Sequence, residues 1–206
     1  MKMISAMSVS FEARTLLLLA ALFLPLAGCD RGESREINAT DATSESYPTD
    51  FVLTDHRGKP VRLSDFRGKV VALFFGFTQC PDVCPTTLAE FSQVYRDLGR
   101  DADQVQVLFV TVDPERDTLQ LLAEYLPAFD NRFIGLWGSS EEIRRVAEAY
   151  KVTFQKIPAK NGNSYTMDHT ALVFLFDGNG RLRLKVPHGQ SAQALTRLIR
   201  EVRDTS

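Results

Sequence analysis

The pattern of apolar and polar positions divides the chain into three stretches. Leu16 to Leu26 is an apolar run of eleven residues, well short of the roughly 20 that cross a bilayer. Residues 30–49 are rich in Ser, Thr, Glu and Asp, with almost no large apolar side chain; such a stretch buries too little surface to offset its ordering entropy. From Asp50 onward the periodicity changes repeatedly. Phe51–Thr54 and Val61–Leu63 flank a turn-rich segment and predict a hairpin. Val70–Phe75 is apolar without alternation, which predicts a central strand buried on both faces. Leu88, Phe91, Val94, Tyr95 and Leu98 recur at helical spacing, with Gly99 as a stop. Val105–Val112 predicts a second strand, and Leu119, Leu122 and Leu126 a second helix. Ser140 is the expected cap of a third helix, with Ile143, Val146, Ala147 and Tyr150 on its buried face. Thr170–Phe176 and Leu182–Val186 are strands joined by Asp177-Gly178-Asn179-Gly180, a hairpin turn. Leu195, Leu198, Ile199 and Val202 mark a closing amphipathic helix.

This order of elements resembles that of a thioredoxin-like domain. The expected fold class is α/β: a central mixed sheet flanked by helices, with an N-terminal β-hairpin. An inserted helical segment lies between Asp113 and Tyr165, ending in the loop tip Asn161-Gly162-Asn163. Three regions are expected: a signal peptide over 1–28, a flexible tether over 29–49 and the folded domain over 50–206. Composition agrees with one globular domain, at 44% hydrophobic and 24% charged residues. A net charge of −2 with no basic block argues against a nucleic-acid partner. Three cysteines are too few for a disulfide scaffold, and an odd number requires that one of them has a separate task.

Cys29 supplies that task. The apolar run ends in Leu26-Ala27-Gly28-Cys29, a pattern that resembles the lipobox of bacterial lipoproteins. The resemblance implies acylation of Cys29, cleavage before it and stable membrane anchoring. Asp30 follows; in enteric lipoproteins that residue is associated with retention at the inner membrane, which implies a periplasm-facing anchor there.

Cys80 and Cys84 lie in Phe75-Gly76-Phe77-Thr78-Gln79-Cys80-Pro81-Asp82-Val83-Cys84-Pro85, between a buried strand and a helix. Open α/β sheets bind ligands at the carboxyl ends of their strands, and helix N-termini lower thiol pKa values. Both redox chemistry and metal binding are open to such a pair, and a fixed disulfide closing this small loop would stabilise little. Three intervening residues, one more than in thioredoxins, suit two sulfurs bridged by a metal somewhat better than a disulfide. Among the histidines, His56 and His188 read as solvated turn residues, whereas His169 stands immediately before a predicted strand, where thioredoxins carry a cis-proline beside the cysteine loop. Two thiolates and one imidazole select copper(I), with copper(II) also allowed; zinc favours a fourth ligand and iron–sulfur clusters four cysteines. Asp113, at a strand end, is placed to tune such a site from behind its ligands. Asp117 reads as a first-turn acid and Asp82 as a helix-start charge.

The motifs Phe75 to Pro85, Thr111-Val112-Asp113-Pro114-Glu115-Arg116-Asp117-Thr118, Arg132-Phe133-Ile134-Gly135-Leu136 and Met167-Asp168-His169-Thr170 together resemble the Sco/SenC family of copper-binding assembly factors, over about Tyr47 to Val202. The resemblance implies a thioredoxin-like, membrane-anchored protein that binds copper through Cys80, Cys84 and His169. It implies delivery to the dinuclear copper centre of cytochrome c oxidase subunit II, with a periplasmic copper donor upstream. Some family members are proposed to act instead as thiol–disulfide oxidoreductases on the same target, through a Cys80–Cys84 disulfide in the oxidised form. A peroxide-reducing activity is a weaker third reading, permitted by the fold alone. One departure stands out: Gln79 occupies a position where the family commonly carries histidine.

Overall fold

The computed structural model describes residues 38–160, 162 and 164–205; the expected signal peptide and Cys29 lie outside the described residues. The architecture is an eight-stranded mixed sheet in the order β1-β10-β9-β4-β5-β6-β2-β3, with a separate two-stranded β7–β8 sheet. The main-sheet strands are β1 (Thr40–Asp41), β2 (Val52–Asp55), β3 (Pro60–Arg62), β4 (Val70–Gly76), β5 (Val105–Thr111), β6 (Ile134–Trp137), β9 (Leu172–Phe176) and β10 (Leu182–Pro187). The smaller sheet is a hairpin of β7 (Phe154–Pro158) and β8 (Tyr165–His169). Among the described residues, four α-helices complete the fold: α1 (Val83–Leu98), α2 (Leu119–Tyr125), α3 (Ser140–Ala149) and α4 (Ala192–Asp204). Among the described residues, no helix is long and apolar enough to cross a membrane.

Strands β4, β5 and β6 run parallel in the middle, with Val70 paired to Val105 and Gly76 to Thr111 at the two ends of the first pair. β9 lies antiparallel on the other side of β4. Because successive strand side chains point to opposite faces, the apolar run in β4 serves two cores. Val70, Ala72 and Phe74 join Leu88, Phe91, Leu122, Leu195 and Ile199 on one face, beneath α1, α2 and α4. Val71, Leu73 and Phe75 join Ile143, Val146, Ala147 and Tyr150 on the other, beneath α3. Cys80 packs against both cores, because the loop after β4 sits at the carboxyl end of that central strand, between the two layers.

Two boundaries differ from expectation. The predicted tether does not run to residue 49. Thr40 and Asp41 pair with β10, and Ala42 is buried. The Tyr47 ring stacks on Tyr150, and Glu45 forms ion pairs with Lys151 and Lys185. A stretch with few large apolar groups is thus held by strand addition and charge. The cap of α3 is Ser139, whose hydroxyl accepts from the Glu142 N–H while the Glu142 carboxylate accepts from the Ser139 N–H.

Candidate metal centre

The centre is built at the carboxyl end of β4. Gly76 closes the strand, and a Cβ there would lie 2.7 Å from the Cys84 sulfur and 2.7 Å from the Phe109 ring. Only glycine leaves room for that sulfur beneath the loop. The chain then turns, with the Cys80 N–H donating to the Phe77 carbonyl, and enters α1. Pro85 falls in the first turn of α1, where a missing N–H costs no helical hydrogen bond. Asp82 occupies the N-cap position, yet its side chain makes no capping bond to the backbone. The Cys80 sulfur takes that part: it accepts the Cys84 N–H at 3.5 Å.

The two thiols are free and unlike. Cys84 is fully buried. Cys80 is half-buried, and its pKa is lowered to about 5, first by the Cys84 S–H donating to it and then by the backbone N–H groups of Cys84, Asp82 and Val83. The Cys84 thiol is pushed up by that same hydrogen bond and by burial. One sulfur is therefore a stabilised thiolate, and its neighbour holds the shared proton.

Carboxylates brace the loop from below. Asp117 is fully buried. It accepts from the Thr78 N–H at 3.0 Å, the Thr78 hydroxyl at 2.6 Å and the Thr111 hydroxyl at 2.7 Å. Burial raises its pKa. The cap of α2 is Thr118, so Asp117 is a loop clasp rather than the helix-start acid expected from sequence. Asp113 is 1% exposed and ion-paired with Arg116, and it accepts from the Tyr165 hydroxyl at 2.8 Å. Arg116 also donates to the Gln79 side-chain oxygen at 3.1 Å and the Tyr165 carbonyl at 2.8 Å, and its guanidinium lies 3.7 Å from the centre of the Tyr165 ring. Asp113 thus reaches the cysteine loop through Arg116 and Gln79. Asp113, three residues away, is the one local partner of Arg116; Gln79 and Tyr165 are 37 and 49 residues away, which the sequence does not signal.

His169 ends β8 and meets the Phe77 ring edge-on at 6.1 Å. Its Nδ1 lies 3.0 Å from the Thr170 carbonyl. A carbonyl only accepts, so Nδ1 carries the proton and Nε2 keeps its lone pair. Asp168 turns away to Gln155. The structure brings Cys80 and Cys84 together; among the described residues, however, no three His, Cys, Asp or Glu side chains are grouped as a metal site. The chemistry of the donor set fits a soft cation: a thiolate, an adjacent thiol, and an imidazole whose other nitrogen is already engaged. Among the described residues, three buried polar atoms without a hydrogen-bond partner also lie in this region: Arg116 Nη2, the Tyr125 hydroxyl and His188 Nε2.

Neither of the other histidines is a solvated turn residue. His56 is 8% exposed, and its Nδ1 accepts from the Gly135 N–H at 3.0 Å, pinning the β2–β3 turn to β6. His188 is half-buried, 2.6 Å from the Thr87 hydroxyl on α1 and edge-on to Phe74. Burial lowers its pKa to about 4, with a smaller contribution from His169. Both turns fold back onto the sheet, which local sequence does not signal.

The SCO1/SenC family model matches residues 39–204. The mitochondrial SCO2 homolog of Mus musculus is 35% identical over 198 residues, covering 91% of this chain and 78% of its own. The Bos taurus homolog is 40% identical over 153 residues, and the match spans only 58% of its length. A copper-bound structure of Bradyrhizobium japonicum ScoI is 41% identical, with a TM-score of 0.70, covering 76% of this chain and 99% of that one. Copper-bound yeast Sco1 is 30% identical, with a TM-score of 0.67, covering 74% and 85%. The fold is that of the Sco thioredoxin-like proteins, and the chain belongs to the SCO1/SenC family.

Proposed function

We propose that this chain is a copper metallochaperone that binds copper through Cys80, Cys84 and His169 and delivers it to the dinuclear copper site of cytochrome c oxidase subunit II. The observation that carries the reading is the pair of free cysteines at the end of β4, half-buried Cys80 beside buried Cys84, in a chain 41% identical to a copper-bound ScoI. Bound copper supplies a soft, transferable cation. Cys80 and Cys84 hold it from the core side, and His169 Nε2 joins them from the β7–β8 hairpin. Cys80, the more exposed sulfur, is the one an incoming target thiol meets first. Lipid on Cys29 holds the domain at the bacterial inner membrane, facing the periplasm, and a periplasmic copper donor loads it.

The test is transfer from the copper(I)-loaded protein to an apo subunit II domain, with wild type, Cys80→Ser, Cys84→Ser and His169→Ala. Each substitution removes high-affinity binding and transfer. Unchanged affinity in His169→Ala overturns the three-ligand set.

The unlike thiols favour a second reading, a thiol–disulfide oxidoreductase acting on the same target. The Cys80 thiolate attacks a target disulfide, and one target sulfur leaves as thiolate. Cys84 then loses its proton and displaces the second target sulfur, so the target gains two electrons and Cys80–Cys84 becomes a disulfide. This reading fails if the dithiol protein leaves the target disulfide intact while copper still transfers.

A further inference from the structure

We propose that His188 is a further copper ligand, its Nε2 joining Cys80, Cys84 and His169 in the copper(II) form. The proposal rests on the copper reading above and concerns a residue that the reading does not use.

Two elements independently bring the His188 ring to the side of the sheet that carries Cys84, although no three His, Cys, Asp or Glu side chains are grouped as a metal site among the described residues. Along α1, Thr87 follows Cys84 by three residues, on the same helical face, and its hydroxyl is 2.6 Å from His188 Nδ1. Along β4, Phe74 and Gly76 share one face. The His188 ring packs edge-on to Phe74 at 6.3 Å, while a Cβ on Gly76 would lie 2.7 Å from the Cys84 sulfur.

The hydrogen bonds select the tautomer. The Thr87 hydroxyl donates its one proton to the Val83 carbonyl at 2.8 Å, so toward His188 it accepts, and Nδ1 is the donor. Nε2 is left with its lone pair, buried and without a hydrogen-bond partner. Leaving such an acceptor unpaired costs stability, and a cation is a partner that only the loaded form supplies. His169 repeats the arrangement, with Nδ1 engaged by the Thr170 carbonyl and Nε2 free. Ligating histidines characteristically donate their second ring N–H to a protein acceptor in this way. Copper(I) is satisfied by two sulfurs and one nitrogen. Imidazole suits copper(II), and a second one completes a four-donor set.

The test is pulsed electron paramagnetic resonance of the intact protein loaded with copper(II), which counts coordinated imidazoles. Wild type is expected to show two. His56 cannot supply the second, because its Nδ1 already accepts from Gly135 and the ring lies in the β2–β3 turn. His188→Phe should show one, with copper(II) affinity about 100-fold weaker; Thr87→Val, which only frees the ring, should cost about 10-fold, within the range for lost outer partners. One imidazole in wild type, or unchanged spectra and affinity in His188→Phe, overturns the proposal while leaving the three-ligand reading intact. If His188→Phe does not fold, the wild-type count and Thr87→Val decide. Failure of wild type to bind copper through Cys80 and Cys84 overturns both.

Discussion

The sulfur side and the histidine side of the candidate centre are built differently. Cys80 and Cys84 sit between the two cores, on a loop clasped by Asp117 and fed by the N–H groups of α1. His169 ends a two-stranded hairpin outside the main sheet, and four of the five β7 side chains are exposed. Met167 is the buried anchor of β8. Polar contacts supply much of the rest: Arg116 to the Tyr165 carbonyl, the Tyr165 hydroxyl to Asp113, and Lys156 to Glu115. A soft-metal site needs its sulfurs pre-positioned, because two thiolates repel until a cation joins them. Its third donor can sit on a segment that buries little, as His169 does at the end of the β7–β8 hairpin.

Arg116→Ala is the strongest way to break this asymmetry. It removes the group that joins Gln79, Asp113 and Tyr165, and it leaves the buried Asp113 carboxylate without its cation. Loss of one partner of a buried pair costs about 3–5 kcal/mol; with the Arg116 side chain 18% exposed, about 3 kcal/mol is expected in chemical denaturation. Hydrogen exchange should accelerate over residues 154–169 and stay slow in β4 and β5. Equal acceleration in both regions would show that the two sides are one unit.

Gly76→Ala attacks the other side. The added methyl meets the Cys84 sulfur and the Phe109 ring at 2.7 Å. Overpacking of this kind costs about 1–3 kcal/mol. The expected signature is a displaced Cys84 and weakened copper(I) binding with hairpin exchange unchanged. Wild-type affinity would mean that the sulfurs are not held as tightly as their burial implies.

The two sides also differed in legibility. The doubly buried strand β4 was readable because six apolar residues in a row leave no polar face, and α1, α3 and α4 were readable from helical spacing. Strand β1 has two residues and β6 is interrupted by Gly135, so neither offers an alternation to detect. The hairpin strands β7 and β8 bury little, and the predicted strand start at Thr170 missed them. The cysteine pair announced itself by spacing and by its strand–helix junction. Arg116, Asp117 and His188 did not, since each acts through contacts formed only when distant segments meet.

The thiol asymmetry supplies a pH test of the sulfur side alone. A folded pKa of about 5 at Cys80 lies below the ordinary thiol value, so the thiolate persists down to about pH 5 and is lost as pH falls through that value. Intrinsic nucleophilicity drops with pKa by a Brønsted factor of about 0.4–0.5, which cancels much of the gain at pH 7. The same factor applies near pH 5.5, but there an ordinary thiol is only about 0.1% thiolate, so alkylation of Cys80 should still exceed that of an ordinary thiol by about ten-fold or more. Cys84 should stay unreactive throughout. A rate midpoint near pH 8.5 would mean that the α1 N–H groups and Cys84 do not stabilise the thiolate.

Lys156→Ala is the mildest probe and the most selective for the hairpin. The Lys156–Glu115 pair spans from β7 to the loop after β5 at 2.6 Å, with both side chains well exposed. Water screens such a pair, so its loss should cost little and shrink further in salt. The Lys156 ammonium also lies 4.8 Å from the centre of the Tyr165 ring, a ring that Arg116 still covers after the substitution. Global stability should therefore barely change, while hairpin exchange rises a few-fold at low salt and returns toward wild type at high salt. A salt-independent change would assign the effect to lost packing of the lysine stem on Tyr165 rather than to charge. The hairpin would then be held by apolar contact, like the sulfur side, and the contrast between the two halves would narrow.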